Sequence, residues 1–331
     1  MQKIIVFGAT GNIGAYFVDY CINYIDKSQY EIIAVGKRQT GYYTNRNIKY
    51  IQVDIRNDLD FNNLPQDDVY AIINLTGLLP AYTEQISPID YIETNVNGSI
   101  RILEYGRRVK MKRVIYSQTW AEQAGYWGKS DVLSPRMPRK LLYTGDHALY
   151  SIAKATVSEV MEFYHQEYGI GIFIFRLPNV YMYHPDTFYF VDGKKKIVAY
   201  RYIIEQAAQG NPIDLWGDPE SFKDILYVKD LCQMMYKSLF VNITHGLYNA
   251  GTGIKTTLEE QIRGIIEIFS PKDSISEIIY KPGKESFVSF VMDIDNAKHD
   301  LGYEPQYLYK DYLIDYKEEA QKKRFNALWK R

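Results

Sequence analysis

Apolar residues along this chain fall into short runs rich in β-branched side chains, separated by longer segments whose apolar positions recur every three or four residues. The first run, residues 3–7, ends abruptly in glycine, the pattern of a strand buried on both faces. Further runs at 31–35, 50–53, 69–75, 113–116 and 171–176 predict more strands, with helix-length segments between most of them. That alternation predicts an α/β fold built on a doubly wound parallel sheet. The segment opening at Asn12 predicts a helix that packs Ile13, Phe17, Tyr20, Cys21 and Tyr24 on the sheet from one face.

Beyond about Asn179 the alternation stops, and a stretch containing Tyr, Pro and Lys leads through Gly193 and Lys196 to a helical segment at 199–209. The chain then returns toward the sheet around 225–228 and finishes in short mixed elements and a charged helix at 311–323. The division this predicts is a nucleotide-binding domain over 1–178, with a return of chain near 224–250, and a smaller substrate-binding lobe made mainly of 179–331.

Composition narrows the chemistry. With 39 basic against 40 acidic residues, no field draws the protein to nucleic acid or to an anionic membrane, so the expected ligand is small. No apolar run reaches the roughly 18 to 20 residues that span a bilayer. The two cysteines, Cys21 and Cys232, match no metal spacing, and His165, His184, His245 and His299 show no ligand pattern, so no metal is expected. Free thiols and a chain that opens directly on a strand point to a reducing, cytoplasmic setting. The 31 tyrosines either stack on a carbohydrate or base, or fill half-buried surfaces.

Gly8-Ala9-Thr10-Gly11-Asn12-Ile13-Gly14 places glycines three apart directly after the first strand, where they open the first helix. Glycine there permits a tight turn and close backbone approach, while the helix start offers free amides to a pyrophosphate, so the segment predicts dinucleotide binding in a Rossmann-type domain. An acidic residue at the end of the second strand would accept hydrogen bonds from the ribose of NAD. Here Lys37 and Arg38 stand instead, which favours NADP, Arg38 gripping a 2′-phosphate as a bidentate pair. If both are solvated loop charges, NAD remains open. Asp54 and Ile55, after the third strand, are placed to contact the adenine, unless Asp54 caps the next turn.

Tyr150 and Lys154 lie four apart and so share one helix face. A neighbouring ammonium and an oxidised nicotinamide favour the phenolate, which makes such a tyrosine an acid or base usable near neutrality. Together with the glycine triplet, Asn74-Leu75-Thr76-Gly77, Asn95-Val96-Asn97-Gly98 and Ser117-Gln118-Thr119, this order and spacing resembles the extended short-chain dehydrogenases, specifically the NAD-dependent, nucleotide-sugar-modifying epimerase/dehydratase family. The resemblance implies that Thr119, with Ser117 as its nearby substitute, hydrogen-bonds the reacting oxygen. It implies that Lys154 binds the nicotinamide ribose and lowers the tyrosine pKa, and that Leu75, Thr76, Gly77, Asn95 and Ser117 belong to the cofactor site, Asn95 as a brace between strands.

Arg176-Leu177-Pro178-Asn179-Val180-Tyr181 resembles the segment that passes the nicotinamide at Pro178 and then offers Asn179 to a nucleotide-sugar phosphate. Trp216-Gly217-Asp218, the run from Lys223 to Asp230, Tyr248-Asn249-Ala250-Gly251 and Leu301-Gly302-Tyr303-Glu304-Pro305 extend the likeness, with Lys223 and Lys281 standing where the family often has phosphate-binding arginines. Thr119 is followed by Trp120-Ala121-Glu122, whereas 4,6-dehydratases carry an Asp-Glu pair immediately after their threonine, so dehydration is disfavoured. The interval between Thr119 and Tyr150, with Trp127, Arg136, Arg139 and Lys140, is a candidate substrate-facing loop. The implied function is an NAD(P)-dependent epimerase or 4-keto reductase working as a homodimer packed through helices at 90–107 and 150–168. The alternatives are a dehydrogenase of a non-sugar alcohol, or a non-catalytic NADP-sensing regulator on the same fold.

Overall fold

The computed structural model of the protein describes residues 1–82, 87–191 and 193–329. Seven strands form one sheet: β1 (Gln2–Phe7), β2 (Tyr30–Gly36), β3 (Lys49–Gln52), β4 (Val69–Asn74), β5 (Arg113–Thr119), β6 (Gly171–Leu177) and β7 (His245–Asn249). They lie in the order β7-β6-β5-β4-β1-β2-β3, and every pairing is parallel. The six runs read from the sequence are the first six strands, β5 continuing past its apolar run to Thr119.

Alternate side chains explain why the runs are continuously apolar. Ile4 and Val6 enter one apolar layer and Ile5 and Phe7 the other, and β6 divides in the same way, Phe173 and Phe175 against Ile172 and Ile174. The first layer is covered by the helices Asn12–Tyr24 and Val228–Ser238, the second by Gly98–Arg108 and Ala148–Tyr168. Each large side chain sealed this way contributes about 1.5–3 kcal/mol relative to exposure.

Two expectations need correction. On the first helix Phe17 and Cys21 are buried as expected, but so are Val18 and Tyr16, the latter because Phe325 and Trp329 cover a second side of the helix there. Tyr24, expected on the packed face, is 64% exposed. It closes the last turn and rests at the surface against the rings of Tyr20 and Tyr236. The chain also re-enters the sheet at His245–Asn249 and not at 225–228. Leu226–Tyr227 pairs in parallel with Val180–Tyr181 in a small ladder of its own.

Outside the sheet, short ladders join Ile213–Trp216 to Ile278–Lys281 and Phe222–Lys223 to Thr256–Thr257, and an antiparallel hairpin joins Phe188–Val191 to Lys194–Ile197. Two buried carboxylates tie segments outside the sheet together. Asp224 accepts hydrogen bonds from the amide and hydroxyl of Thr252 (both 2.7 Å) and from the amides of Gly253 (2.9 Å) and Met292 (3.1 Å). Burial pushes its carboxyl up despite those donors. Asp230 accepts from the amides of Gln306 and Tyr307, at 2.8 and 3.1 Å, and burial lifts it to about 6. The tyrosines serve the core: Tyr16, Tyr43, Tyr105, Tyr116, Tyr227, Tyr248, Tyr303 and Tyr312 are buried almost completely. Among the described residues no helix is long and apolar enough to cross a membrane.

Candidate functional site

The strand order reverses between β1 and β4, and in open parallel sheets the crevice beyond such a switch point receives the ligand. Phe7 and Asn74 are register partners there, so the chain leaves both strands side by side at Gly8 and Leu75. Gly8 has φ +82°, and a Cβ on it would lie 2.8 Å from the Leu75 carbonyl carbon and oxygen. A Cβ on Gly14 would lie 2.1 Å from the Gly8 carbonyl oxygen. Only glycine fits either place. Gly11 caps the helix without a side-chain hydrogen bond, and no acidic residue occupies the first turn, so the leading amides and the positive dipole end stay available to an anion. This cradle fits the pyrophosphate of a dinucleotide. Thr10 is buried beneath it against Gly36, and the Tyr43 hydroxyl, from the loop after β2, donates to the Ala9 carbonyl.

At the end of β2, Lys37 and Arg38 are exposed but engaged. Lys37 lies 3.2 Å from Asp54, and Arg38 donates to the Leu328 carbonyl at 3.2 Å. Asp54, expected beside the adenine, holds Arg56 through both carboxylate oxygens, at 3.1 and 2.8 Å. The Arg56 hydrogen bonds, helped by Lys37, hold its carboxyl well below the usual range. Ile55 is buried against Gly98, where any side chain would collide with it.

Beyond β4 the Asn74 carboxamide oxygen accepts from the Thr76 amide (3.0 Å) and hydroxyl (2.6 Å), which shapes the Leu75-Thr76-Gly77 turn. Asn95, 2% exposed in a π-helical turn, Ile92–Asn97, bonds the Leu78 amide and carbonyl at 2.7 and 3.1 Å. Its side chain therefore braces this loop.

Tyr150 and Lys154 are both buried on one face of the helix Ala148–Tyr168, alongside the end of β5. The Lys154 ammonium donates to the Ser117 hydroxyl at 3.4 Å and lies 4.0 Å from the Tyr116 ring centroid. Burial pushes this lysine down to about 7. Burial also pushes the Tyr150 phenol up, with Tyr82 and Tyr91 adding to the effect. Without cofactor the phenol thus stays protonated at neutral pH while the lysine sits near the midpoint of its titration, whereas the sequence reading has the ammonium lowering the phenol. Thr119 shares a face of β5 with Ser117 and caps the next turn, its oxygen accepting from the Ala121 amide at 3.2 Å while its proton remains free to donate. His147 is exposed and sits edge-on to Tyr150, ring centroids 6.2 Å apart.

Among the residues expected to touch substrate, Pro178 is buried and Asn179 exposed. Lys223 lies over the Phe287 ring, 3.8 Å from its centroid, and burial lowers it to about 8. Lys281 is exposed, 3.9 Å from Asp214. Arg139 is not free for substrate. It pairs with Glu159 and, at 2.7 Å, with Glu122, a wholly buried carboxylate that also takes Arg176 at 2.6 Å. Arg176 in turn donates to Asn249 at 2.9 Å. Sequence reasoning missed this network and three tyrosines: Tyr43 under the cradle, Tyr82, whose hydroxyl accepts from Asn12 at 2.9 Å, and Tyr91, 6.5 Å from the Tyr150 ring. No local pattern announces any of them, because each acts across a long stretch of chain. Among the described residues no cluster of three metal-ligating side chains exists.

Comparison with known proteins agrees with this geometry. A family profile described as the NAD dependent epimerase/dehydratase family matches residues 4–251. The chain is 25% identical to the low-salt glycan biosynthesis protein Agl12 of Haloferax volcanii, the match covering 95% of this chain and 98% of that one. It is 23% identical to a dTDP-glucose 4,6-dehydratase of Haemophilus influenzae, over 95% and 96% of the two chains. Among solved structures, UDP-glucose 4-epimerase of Thermotoga maritima with UDP-glucose shares the fold, with a TM-score of 0.76 at 24% identity over 97% of this chain and 99% of the other. With a profile spanning most of its length, from the first strand through the seventh, the chain belongs to the NAD-dependent epimerase/dehydratase family of extended short-chain dehydrogenases.

Proposed function

We propose that this protein is a nucleotide-sugar epimerase or 4-keto reductase that transfers hydride at a sugar-ring carbon, C4, with Tyr150 as the acid and base. The observation that carries this reading is the buried Tyr150 and Lys154 pair on one helix face beside Ser117 and Thr119, at the same sheet edge as the glycine cradle. When bound, NAD or NADP supplies the hydride acceptor or donor at its nicotinamide ring. The chain's own residues do the rest. Tyr150 takes the proton of the ring hydroxyl or returns it, Thr119 donates to the reacting oxygen, and Lys154, held by Ser117, steadies the phenolate once it forms. Asn179, Lys223 and Lys281 are the groups assigned to the diphosphate.

The named relatives act on nucleotide sugars, which supports that substrate class. Dehydration is disfavoured, because Glu122 is locked between Arg176 and Arg139 and cannot serve as an eliminating acid or base. The exposed Lys37 and Arg38 favour NADP over the NAD that solved neighbours hold, and with it the reductase. Exposed Ile89, Ile92 and Phe163 on the helices beside the second apolar layer favour a homodimer through that face. The free, buried Cys21 and Cys232 suit a cytoplasmic protein.

The test is a thermal-shift screen with NAD, NADP and NADPH, alone and paired with UDP-, GDP-, dTDP- and CDP-sugars, followed by product analysis. An epimerase interconverts two sugars with no net change in cofactor, whereas a reductase consumes NADPH in proportion to a 4-keto sugar. Tyr150→Phe should keep cofactor binding and lose about 10²–10⁴ in turnover. Full activity of that variant, or cofactor binding with no response to any nucleotide sugar, refutes the proposal.

A further inference from the structure

The hairpin Phe188–Val191/Lys194–Ile197 has no role in the proposal above. Its second strand reads Lys-Lys-Lys-Ile, and all four residues are exposed. The antiparallel register places Lys195 on the face of Phe188 and Phe190, 3.5 Å from the Phe188 ring centroid, and Lys194 and Lys196 on the opposite face with Tyr189 and Val191. Among the described residues none of the three lysines forms an ion pair. Cationic charge therefore stands on both sides of the ribbon.

Position gives the charge a use. The strand Phe188–Val191 packs against the turn Pro80–Tyr82, and the Tyr82 hydroxyl is bonded to Asn12 at the start of the glycine cradle. Tyr82 also lies close enough to Tyr150 to act on its phenol. The base of the hairpin is fixed by the Val198 amide on the Thr187 carbonyl, at 2.8 Å, and by Arg201 on the Asp186 carbonyl. A cationic ribbon thus stands beside the opening between cradle and tyrosine. Over residues 186–201 four cations face two carboxylates, although the whole chain carries a net charge of −1. Attraction of an anion to this mouth must come from the local cluster, because the overall charge gives none.

We infer that this hairpin is a cationic collar that draws the diphosphate of the incoming nucleotide sugar to the mouth of the site. The inference rests on the nucleotide-sugar reading, and it adds a recognition element beyond Asn179, Lys223 and Lys281. Such a collar acts through space over a Debye length, about 30 Å at 0.01 M salt and about 8 Å at 0.15 M, so its contribution fades as salt rises.

The experiment uses the full chain with its cofactor bound. UDP, dTDP, GDP and CDP are titrated calorimetrically into wild type, and the tightest binder becomes the probe for Lys194→Gln/Lys195→Gln/Lys196→Gln and for the matching triple arginine variant. The glutamine variant should bind the probe about 5- to 10-fold more weakly at 0.01 M salt, with the gap closing near 0.5 M, and the arginine variant should match wild type. Unchanged cofactor affinity and melting temperature would place that loss at the collar. Equal affinity and equal salt slope in wild type and the glutamine variant would overturn the inference. Loss in the arginine variant as well would also overturn it, because shape and not charge would then matter. If none of the four nucleotides binds wild type, the nucleotide-sugar reading falls first and takes the collar with it.

Discussion

Replacing Lys154 by methionine should make the cofactor-free protein more stable while abolishing its activity. Among the described residues the buried ammonium has the Ser117 hydroxyl and the Tyr116 ring as partners, and burial moves it from an ordinary 10.5 to about 7. Each pH unit between folded and unfolded values is about 1.4 kcal/mol, so the complete penalty is roughly 5 kcal/mol. Structural relaxation and water penetration reduce this to roughly 2–4 kcal/mol. The sign follows from proton counting. Below pH 7 the lysine is charged in both states and the fold bears the whole penalty. Between pH 7 and about 10.5 the unfolded chain keeps a proton that the folded protein has released, so wild type gains stability as pH rises. Methionine matches the length and volume of the buried stem without the charge. Urea unfolding of both proteins without cofactor should therefore show Lys154→Met ahead by roughly 2–4 kcal/mol at pH 6 and by no more than about a third of that at pH 9.5. A variant no more stable than wild type at pH 6, or a gap that ignores pH, would refute the reasoning.

Two further outcomes test the supports of the site. Arg38→Ala should weaken NADP about 10-fold or more and leave NAD within about twofold, because a lost charge-assisted contact is worth about 1.5–3 kcal/mol; equal losses in both titrations would remove the 2′-phosphate assignment. Glu122→Gln strips the counter-charge from the buried Arg176 and should cost about 3–5 kcal/mol in urea unfolding, whereas Glu122→Leu/Arg176→Met should recover most of it. A single variant within about 1 kcal/mol of wild type would show that the pair does not bear on the fold.

What could be read beforehand was whatever the chain encodes locally. The glycine cradle and the Tyr150 and Lys154 spacing each occupy a few consecutive residues, and five of the six strands read as apolar runs are covered on both faces, the edge strand β3 being only partly buried. The seventh strand reads His-Gly-Leu-Tyr-Asn. It lies at the sheet edge with β6 as its only neighbour among the described strands, so no continuous apolar run marks it. Tyr16 was missed because the cover over its side of the first helix comes from Phe325 and Trp329, some three hundred residues away. Arg139 read as part of a substrate-facing loop because its partners Glu122 and Glu159 are set by folding, not by spacing. Asp54 was legible as a position and not as a state, since its engagement by Arg56 and Lys37 is a matter of side-chain geometry.

The Asp224 carboxylate has a consequence for how the protein is made. Its donors come from Thr252, Gly253 and Met292, so during synthesis the residue leaves the ribosome well before its last partner. At about 5–20 residues per second, the 68 positions between Asp224 and Met292 correspond to several seconds of waiting. Until then the carboxylate has only its Thr252 and Gly253 donors, and Lys223, beside it, pairs with Thr256 but lacks the Phe287 ring on which it rests for much of that interval. A nascent chain stopped short of Met292 would carry Asp224 with two of its three donor residues and would also lack Phe325 and Trp329, the cover of the first helix.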